Sequence, residues 1–269
     1  MASQLTDALI DVAGAGNRAA RRRLALYAAC TGVQVRRGPG WFAVATGVVS
    51  NDMNGVVSRA GTSVPDALID ELVGWFAELA MPASWLTSAP DSRVTAALVE
   101  RGSTPERTGW WAGRQLDRPL PVPEVAADVV IDRVHSGDDL NDWLDVAGSC
   151  GWVGSSEDRS ARRTLYSVIG LDHSHLTHWI ARRGGTPVGM ASSFVDSDVI
   201  DLCNLAVVEP HRRTGIGRGL VIRRVLESQR LGARLAVSAL SPPGWQLYRP
   251  LGFASVPVVA DTWFYLPEA

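Results

Sequence analysis

The sequence predicts a mixed α/β fold of two domains, each with a central mixed sheet flanked by helices. Three observations support this prediction. Stretches with the periodicity of strands alternate with amphipathic helical stretches along the chain. The 269 residues suffice for two domains that each bury their own hydrophobic core. Alternating prolines within residues 119–126 favour an extended linker, so we expect domains at 1–118 and 127–269.

The C-terminal half has the clearer pattern of elements. Residues 129–134 alternate as a strand, and Ser136 has the chemistry of an N-cap before a helix that ends near residue 147. The elements predicted after it are a helix at 157–168, strands at 176–181, 187–195 and 199–208, a helix at 217–231, a strand at 234–240, a short helix at 244–248, and a closing pair of strands at 254–259 and 262–265.

Composition and charge exclude several classes of partner. A formal net charge of −2 and a pI near 6.2 leave no general basic surface, so we expect neither nucleic acid nor a membrane as a partner. Cys30, Cys150 and Cys203 are widely spaced, as in a reduced cytoplasmic protein, and no apolar stretch is long enough for export or membrane insertion. The histidine-rich segment 173–178 lacks the Cys or carboxylate spacing of a zinc site, so no metal is expected.

A glycine-rich turn, residues 212–218, joins the predicted strand at 199–208 to the predicted helix at 217–231. The first N–H groups of a helix lack intrahelical acceptors and lie at the positive end of its dipole, where they bind anions. Gly215 and Gly217 let the backbone approach an anion closely. Arginine side chains add positive charge, so the turn is predicted to bind a pyrophosphate group.

Three kinds of phosphate-binding turn are candidates for this segment. A nucleotide P-loop needs a lysine, and the chain contains none. A dinucleotide fingerprint needs glycine where Leu220 stands and a carboxylate near Ser241, at the end of the next strand. The third kind is the Arg/Gln-x-x-Gly-x-Gly/Ala turn of the GNAT superfamily of N-acetyltransferases, which Arg212 to Gly217 resembles. The other segments that resemble this family's acetyl-CoA core, in order and spacing, are Leu205-Ala206-Val207, Leu247-Tyr248 and Leu251-Gly252-Phe253.

The resemblance implies that the C-terminal half binds acetyl-CoA or another short acyl-CoA. In this family the strand before the turn splays from its neighbour, so that its backbone binds the pantetheine arm as it would bind an added strand. The N–H of Val207 would face the developing oxyanion. The cofactor-binding residues implied are Leu205, Ala206, Val207, Arg212, Arg213, Thr214, Gly215, Ile216, Gly217, Arg218 and Ser241, the last in place of the family's usual Asn.

Two residues are candidates for the catalytic groups. Tyr248 stands where the family carries its general acid, and a phenol can protonate a leaving thiolate; the alternative is that Tyr248 only packs. Strand alternation would place Asp201 on one face with residues 203, 205 and 207, so that it could act as the general base; the alternative is a surface carboxylate. Trp152, between the two helices of this half, is a candidate wall of the acceptor pocket or else a core residue.

The N-terminal half is interpreted as a degenerate copy of the same domain, the alternative being an unrelated α/β cap. Residues 58–64 correspond to the glycine-rich turn but contain no Gly-x-Gly pair, so this half is expected to bind no cofactor. Its predicted elements are helices at 5–12, 17–30, 65–79 and 92–101, and strands at 34–36, 41–50, 55–58, 84–88 and 108–115.

The function expected from these residues is transfer of an acyl group from acetyl-CoA to the primary amine of a small molecule, by direct attack on the thioester. Two alternatives stay open. One is a sensor or scaffold module that binds acyl-CoA without turnover. The other is a protein acetyltransferase acting on a lysine or an N-terminus. A homodimer is also compatible with the sequence.

Overall fold

A computed structural model of the chain describes residues 2–59, 62, 64–86, 92–105, 110–120, 125–255 and 263–267. The helices in this part of the chain are α1 (Ala2–Tyr27), α2 (Asp66–Glu78), α3 (Ser92–Glu100), α4 (Gly137–Ser149), α5 (Ser156–Ile169), α6 (Ile216–Arg230) and α7 (Pro242–Tyr248). The strands are β1 (Gln34–Gly38), β2 (Trp41–Ala45), β3 (Gly55–Ser58), β4 (Ser84–Leu86), β5 (Thr104–Pro105), β6 (Trp110–Gln115), β7 (Val129–Arg133), β8 (Leu176–Arg183), β9 (Thr186–Asp196), β10 (Val199–Val207), β11 (Leu235–Leu240), β12 (Ala254–Ser255) and β13 (Trp263–Tyr265).

The strands form two mixed sheets, which confirms the predicted fold class. One sheet has the order β1-β2-β3-β4-β13-β5, and its parallel pair is β3 with β4. The other has the order β12-β6-β11-β10-β9-β8-β7, and its parallel pair is β10 with β11. The chain divides into two compact units around these sheets. The larger unit comprises Met1–Ala19 and Gly109–Val256, and the second unit comprises Ala20–Thr108 and Pro257–Ala269.

Each sheet contains one strand from the opposite half of the sequence. Strand β6 lies between β11 and β12 and pairs with β11 over its full length, from Leu235↔Gln115 to Leu240↔Trp110. Strand β13 lies between β4 and β5. The two units therefore differ from the predicted ranges 1–118 and 127–269, and the strands predicted to close the chain as a pair lie in different sheets. Residues 121–124 of the predicted linker, and 256–262, lie outside the described residues.

A single helix, α1, replaces the two helices predicted at 5–12 and 17–30. The prediction of two helices was wrong, because the helix continues through Gly14 and Gly16. Gly16 instead permits close packing, since a Cβ there would lie 2.5 Å from ring carbons of Trp111 on β6. The Trp111 indole N–H also donates to Asn17 Oδ1 at 3.0 Å. Val12, Ala13 and Ala15 of α1 therefore belong to the hydrophobic core of the larger unit.

The other predicted elements of the larger unit agree with the structure to within a few residues, as far as they are described. Ser136 caps α4 in a capping box, in which its hydroxyl accepts from Asp139 N and the Asp139 carboxylate accepts from Ser136 N. Helix α6 covers one face of the sheet, where Leu220, Val221 and Val225 pack, and α4 and α5 cover the opposite face. No helix in the described ranges has the length and apolar character needed to cross a membrane.

Strand β2 in the second unit ends five residues earlier than predicted, at Ala45. The following loop is organised around the buried amide of Asn54, which accepts from the N–H and the hydroxyl of Thr46 at 2.8 and 2.9 Å. The same amide donates to the carbonyls of Val48 and Pro82 at 2.7 and 3.0 Å. A polar side chain thus replaces the expected strand hydrogen bonds. Parts of other predicted segments, namely 60–61, 63, 87–88 and 108–109, lie outside the described residues.

We predict that Gly16→Ala destabilises the protein and that Gly14→Ala, on the same helix, does not. The Cβ at residue 16 would overlap the Trp111 ring, whereas at residue 14 it would meet only Arg18 Nη1 at 3.5 Å. Overpacking costs about 1–3 kcal/mol, while Gly→Ala in a helix interior gains about 0.5–1 kcal/mol. Thermal and urea unfolding measure both changes. Equal stability of the two variants would contradict the packing of α1 on β6.

Candidate functional site

The two parallel strands of the larger unit, β10 and β11, pair only at their beginning. Strand β10 pairs with β11 from Val199↔Leu235 to Asp201↔Val237, and the Ser238 hydroxyl then donates to Leu202 O at 2.6 Å. Beyond this point β11 continues beside β6, whereas the described partner of β10 is β9 alone. The edge of β10 beyond Leu202 therefore faces a gap between the parted strands. We call it the open edge.

A β-bulge changes the direction of the side chains on β10. Cys203 pairs with Ser192 of β9, but the next pair is Ala206↔Met190, so β10 contains one extra residue. Asn204 adopts the left-handed conformation with φ 50°. Leu205 and Val207 consequently face α6, as do Ile200 and Leu202. The prediction that Asp201 shares a face with residues 205 and 207 was therefore wrong, because it assumed unbroken alternation.

The N–H of Val207 is directed to the open edge. Val208 N donates to Val188 O of β9 at 3.0 Å, and successive N–H groups of a strand point to opposite edges. The carbonyl of Val207 accepts from Arg212 Nε at 3.0 Å. The open edge thus presents the Val207 N–H as a backbone donor.

The turn before α6 exposes the first N–H groups of that helix. Gly215 is the N-cap, with φ 86°, and the first N–H of the helix to bond a preceding carbonyl is that of Gly219, which donates to Gly215 O at 2.8 Å. The N–H groups of residues 216–218 precede it. Thr214 Oγ1 donates to His211 O at 2.7 Å and holds the turn. The arrangement is an anion cradle, rimmed by the exposed side chains of Arg212 and Arg213.

Small residues bring the cradle close to the open edge. A Cβ at Gly189 of β9 would lie 3.0 Å from Ile216 Cγ2, so glycine lets the first turn of α6 pack directly on the sheet. Gly217 faces Leu205 and Val207, and a Cβ there would be within 3.8 Å of both side chains. The cradle and the open edge are therefore neighbouring parts of one site.

Tyr248 lies at the end of α7, beneath the open edge. Ser241 is the N-cap of this helix, and its hydroxyl accepts from Gly244 N at 3.4 Å. The Tyr248 ring is 3% exposed and packs edge-on against Phe253, with the centroids 5.0 Å apart. Its hydroxyl accepts a hydrogen bond from Arg224 Nη2 at 3.2 Å. The predicted general acid therefore has a buried hydroxyl held by a guanidinium group.

Sequence reasoning missed Arg224. This residue is fully buried on α6, and Nη1 donates to Ser192 O at 2.6 Å and to Cys203 O at 3.0 Å. Its Nε donates to Leu220 O at 3.1 Å. The signal was present in the sequence, since Arg224 interrupts the apolar face of α6 four residues after Leu220. An arginine at such a position needs buried acceptors.

The opposite face of the sheet carries Asp201 and the α4–α5 connection. Asp201 is 2% exposed, and strand alternation from Ile200 and Leu202 directs it away from α6. Cys150 is the C-cap of α4 and lies beside the Arg212 guanidinium; burial raises the pKa of its thiol, and the guanidinium acts in the opposite direction. Trp152, two residues later, is 41% exposed. The structure thus places Trp152 on the surface near the cradle, not in the core.

The histidine-rich segment contributes to packing. His178 is fully buried between Trp143 and Tyr166, with centroids 5.4 and 4.2 Å away, and its Nδ1 is hydrogen-bonded to Ser192 Oγ at 2.7 Å. Burial lowers the pKa of His178 to about 3. Within the described ranges, no group of three or more His, Cys, Asp and Glu side chains is arranged to hold a metal ion.

Comparison with known proteins agrees with this geometry. Residues 138–253 match the profile of the acetyltransferase (GNAT) family. A GCN5-related N-acetyltransferase from Kribbella flavida superimposes with a TM-score of 0.66 at 17% identity, over 94% of this chain and 96% of that chain. A tandem GNAT protein from the clavulanic acid biosynthesis pathway gives 0.58 at 14% identity, over 95% and 94%. A GCN5-related N-acetyltransferase from Sphaerobacter thermophilus gives 0.57 at 17%, over 84% and 76%. No curated protein matches the sequence.

The fold is therefore that of a tandem GNAT protein, with two sheets of related architecture. Within it, residues 138–253 are the part of the chain that is similar in sequence to GNAT acetyltransferases. The groups present fit an acyl-CoA. Consecutive N–H groups at the start of α6 suit a pyrophosphate, and the open edge offers backbone groups to an extended pantetheine arm. Ser241 caps α7, so its hydroxyl already has one partner in this arrangement.

We predict that His178→Gln flattens the acid limb of the stability curve. The native state keeps His178 neutral down to about pH 3, whereas the unfolded chain binds a proton below its ordinary pKa of 6.5. Stability from this residue is therefore complete above pH 6.5 and is lost as the pH falls from 6.5 towards 3. Urea unfolding across this range measures the slope. An unchanged slope in the variant would contradict a neutral, buried His178.

Proposed function

We propose that this protein is an acetyl-CoA-dependent N-acetyltransferase that acylates the primary amine of a small molecule. The observation that carries the proposal is that the open edge of β10 lies near two hydrogen-bond donors, the N–H groups at the start of α6 and the hydroxyl of Tyr248. The cradle at the start of α6 lies at one end of this edge, and the buried Tyr248 hydroxyl lies beneath it. Another short acyl-CoA would fit the same backbone groups.

Each residue around the open edge can take a different role in the reaction. Bound acetyl-CoA supplies a thioester carbonyl that an amine attacks. The N–H of Val207 can donate to the carbonyl oxygen as negative charge develops there, a contribution of about 3 kcal/mol in a dry site. Tyr248 Oη can give its proton to the sulfur as the C–S bond breaks. Asp201, on the opposite face of the sheet, can accept the amine proton through water.

The preference for a small amine rests on the side of the sheet that carries Asp201. A buried carboxylate attracts an ammonium group, and the exposed indole of Trp152 offers an apolar surface near the cradle. The α4–α5 loop, which contains Trp152, lies near the cradle because its residue Cys150 is beside Arg212. An amine with an apolar body matches this combination of groups.

We predict that Gly215→Glu abolishes acetyl-CoA binding and that Gly185→Glu retains it. Both glycines have positive φ, 86° and 85°, so the backbone strain of the two substitutions is matched. Only residue 215 places a new negative charge at the anion cradle, whereas residue 185 lies in the β8–β9 turn with nothing within 4 Å. Isothermal titration measures both affinities. Unimpaired binding by Gly215→Glu would exclude the cradle as the pyrophosphate site.

We predict that Tyr248→Phe lowers kcat about 10²–10⁴-fold and leaves the affinity for acetyl-CoA nearly unchanged. The hydroxyl acts on charge that develops only as the thioester breaks, while the cradle binds phosphate groups elsewhere. The variant also leaves Arg224 Nη2 without its phenol acceptor, which costs about 1–3 kcal/mol of stability. Steady-state kinetics, titration and thermal unfolding measure the three quantities. A wild-type kcat would show that Tyr248 is structural.

Thiol release with a panel of amines tests the proposed function itself. Release above background with a small primary amine, lost in Gly215→Glu, supports it. Binding of acetyl-CoA without release by any amine would instead identify a sensor or scaffold module. Acetylation of many lysines in a treated lysate, measured by mass spectrometry, would overturn the preference for a small molecule.

A further inference from the structure

We propose that Arg224 is a positioning residue that orients the Tyr248 hydroxyl as a proton donor toward the open edge of β10. This inference rests on the proposed function, because it assigns a task to a residue within the same site. Arg224 acts through Tyr248 and through the carbonyl at the bulge.

A single guanidinium group joins three parts of the site. Nη1 binds the carbonyls of Ser192 and Cys203, which form the last pair of β9 and β10 before the bulge. Nη2 binds the hydroxyl of Tyr248 at the end of α7. Because the guanidinium is planar and rigid, these bonds fix the distance from the bulge to the phenol oxygen. The bond of Nε to Leu220 O ties the same group to α6.

The chemistry of the two side chains decides the direction of the phenol proton. A guanidinium only donates hydrogen bonds, so Tyr248 Oη must accept from Nη2 through a lone pair. The phenol has one proton, which is left to point away from Arg224. A tyrosine held by a carboxylate or a carbonyl would direct its proton to that acceptor instead. The arginine therefore keeps the phenol proton available for transfer.

The same contact prepares the site for the charge that follows. When Tyr248 Oη gives its proton to the departing sulfur, the C–S bond breaks, the sulfur leaves as a thiol and a phenolate remains. This phenolate forms 3.2 Å from a buried cation that is already hydrogen-bonded to it. A charge-assisted hydrogen bond in a buried site is stronger than a neutral one, so Arg224 favours the transfer without moving.

The test compares Arg224→Met and Arg224→Lys with Arg223→Met, in the full chain. Arg223 precedes Arg224 on the exposed side of α6 and serves as the control. Lysine keeps a buried cation for the backbone carbonyls but lacks the fork that reaches Tyr248. We expect both Arg224 variants to lose kcat on the order of 10²-fold, the effect of misplacing a catalytic group by about 1 Å. The affinity for acetyl-CoA, measured by titration, should stay within about twofold of wild type, since the cradle amides are backbone groups.

A second set of variants separates positioning from a general structural role. In a Tyr248→Phe background, Arg224→Lys should cause no further loss of kcat, because its effect passes through the missing hydroxyl. Fluorine NMR of protein labelled with meta-fluorotyrosine supplies a readout without substrate. The resonance lost in Tyr248→Phe identifies residue 248, and it should move in Arg224→Lys and stay in place in Arg223→Met.

Each outcome bears on one proposal or the other. A folded Arg224→Lys with wild-type kcat overturns the inference, as does an equal loss of kcat in the Tyr248→Phe background. A wild-type protein that binds acetyl-CoA but acylates no amine overturns the proposed function, and the inference falls with it. If the wild-type protein acylates an amine and the Arg224 variants have the same kcat, the inference is overturned and the proposed function stands. If Arg224→Met does not fold, Arg224→Lys carries the comparison.

Discussion

The site depends on the parting of β10 and β11 after Asp201↔Val237. If β10 and β11 were paired along their whole length, the N–H groups on this edge of β10 would be hydrogen-bonded to β11 and could not bind a ligand. Beyond the last pair, the N–H of Val207 points into the gap between β10 and β11. The backbone groups of the open edge can there bind an extended chain. The bulge at Asn204 turns Leu205 and Val207 towards α6, so that the apolar packing of this helix also holds the parted strand in place.

Local patterns predicted the elements of the larger unit and the glycine-rich turn before α6, because periodicity, capping residues and the Gly-x-Gly spacing act over short stretches of chain. They did not predict the bulge, which depends on one residue, Asn204, adopting a left-handed conformation. Nor could they predict the exchange of β6 and β13, because both strands pair with segments more than a hundred residues away in sequence. The unbroken helix α1 was missed because Gly16 fits against Trp111, a contact between distant residues.

Arg224 shows how a polar network can be built inside an apolar core. Burial of a cation is costly unless hydrogen bonds replace its hydration. Here backbone carbonyls and one phenol supply the acceptors, so the charge is retained next to Tyr248. A hydrophobic residue at this position would pack without such demands. The presence of arginine therefore concentrates positive potential beneath the open edge, on the side from which α6 packs.

The exchange of strands links the folding of each unit to the order of synthesis. Strand β13 lies between β4 and β5, so the sheet that holds these early strands is incomplete until residues 263–265 have left the ribosome. Strand β6 is made early, yet β11 pairs with it only after a further 120 residues, counted from Gln115 to Leu235, have been added. Domains commonly fold one after another as they emerge. In this chain, β6 and the edge of β4 stay unpaired until β11 and β13 have been synthesised. Exposed strand edges can pair with other nascent chains, and pairing between distant segments slows the completion of both sheets.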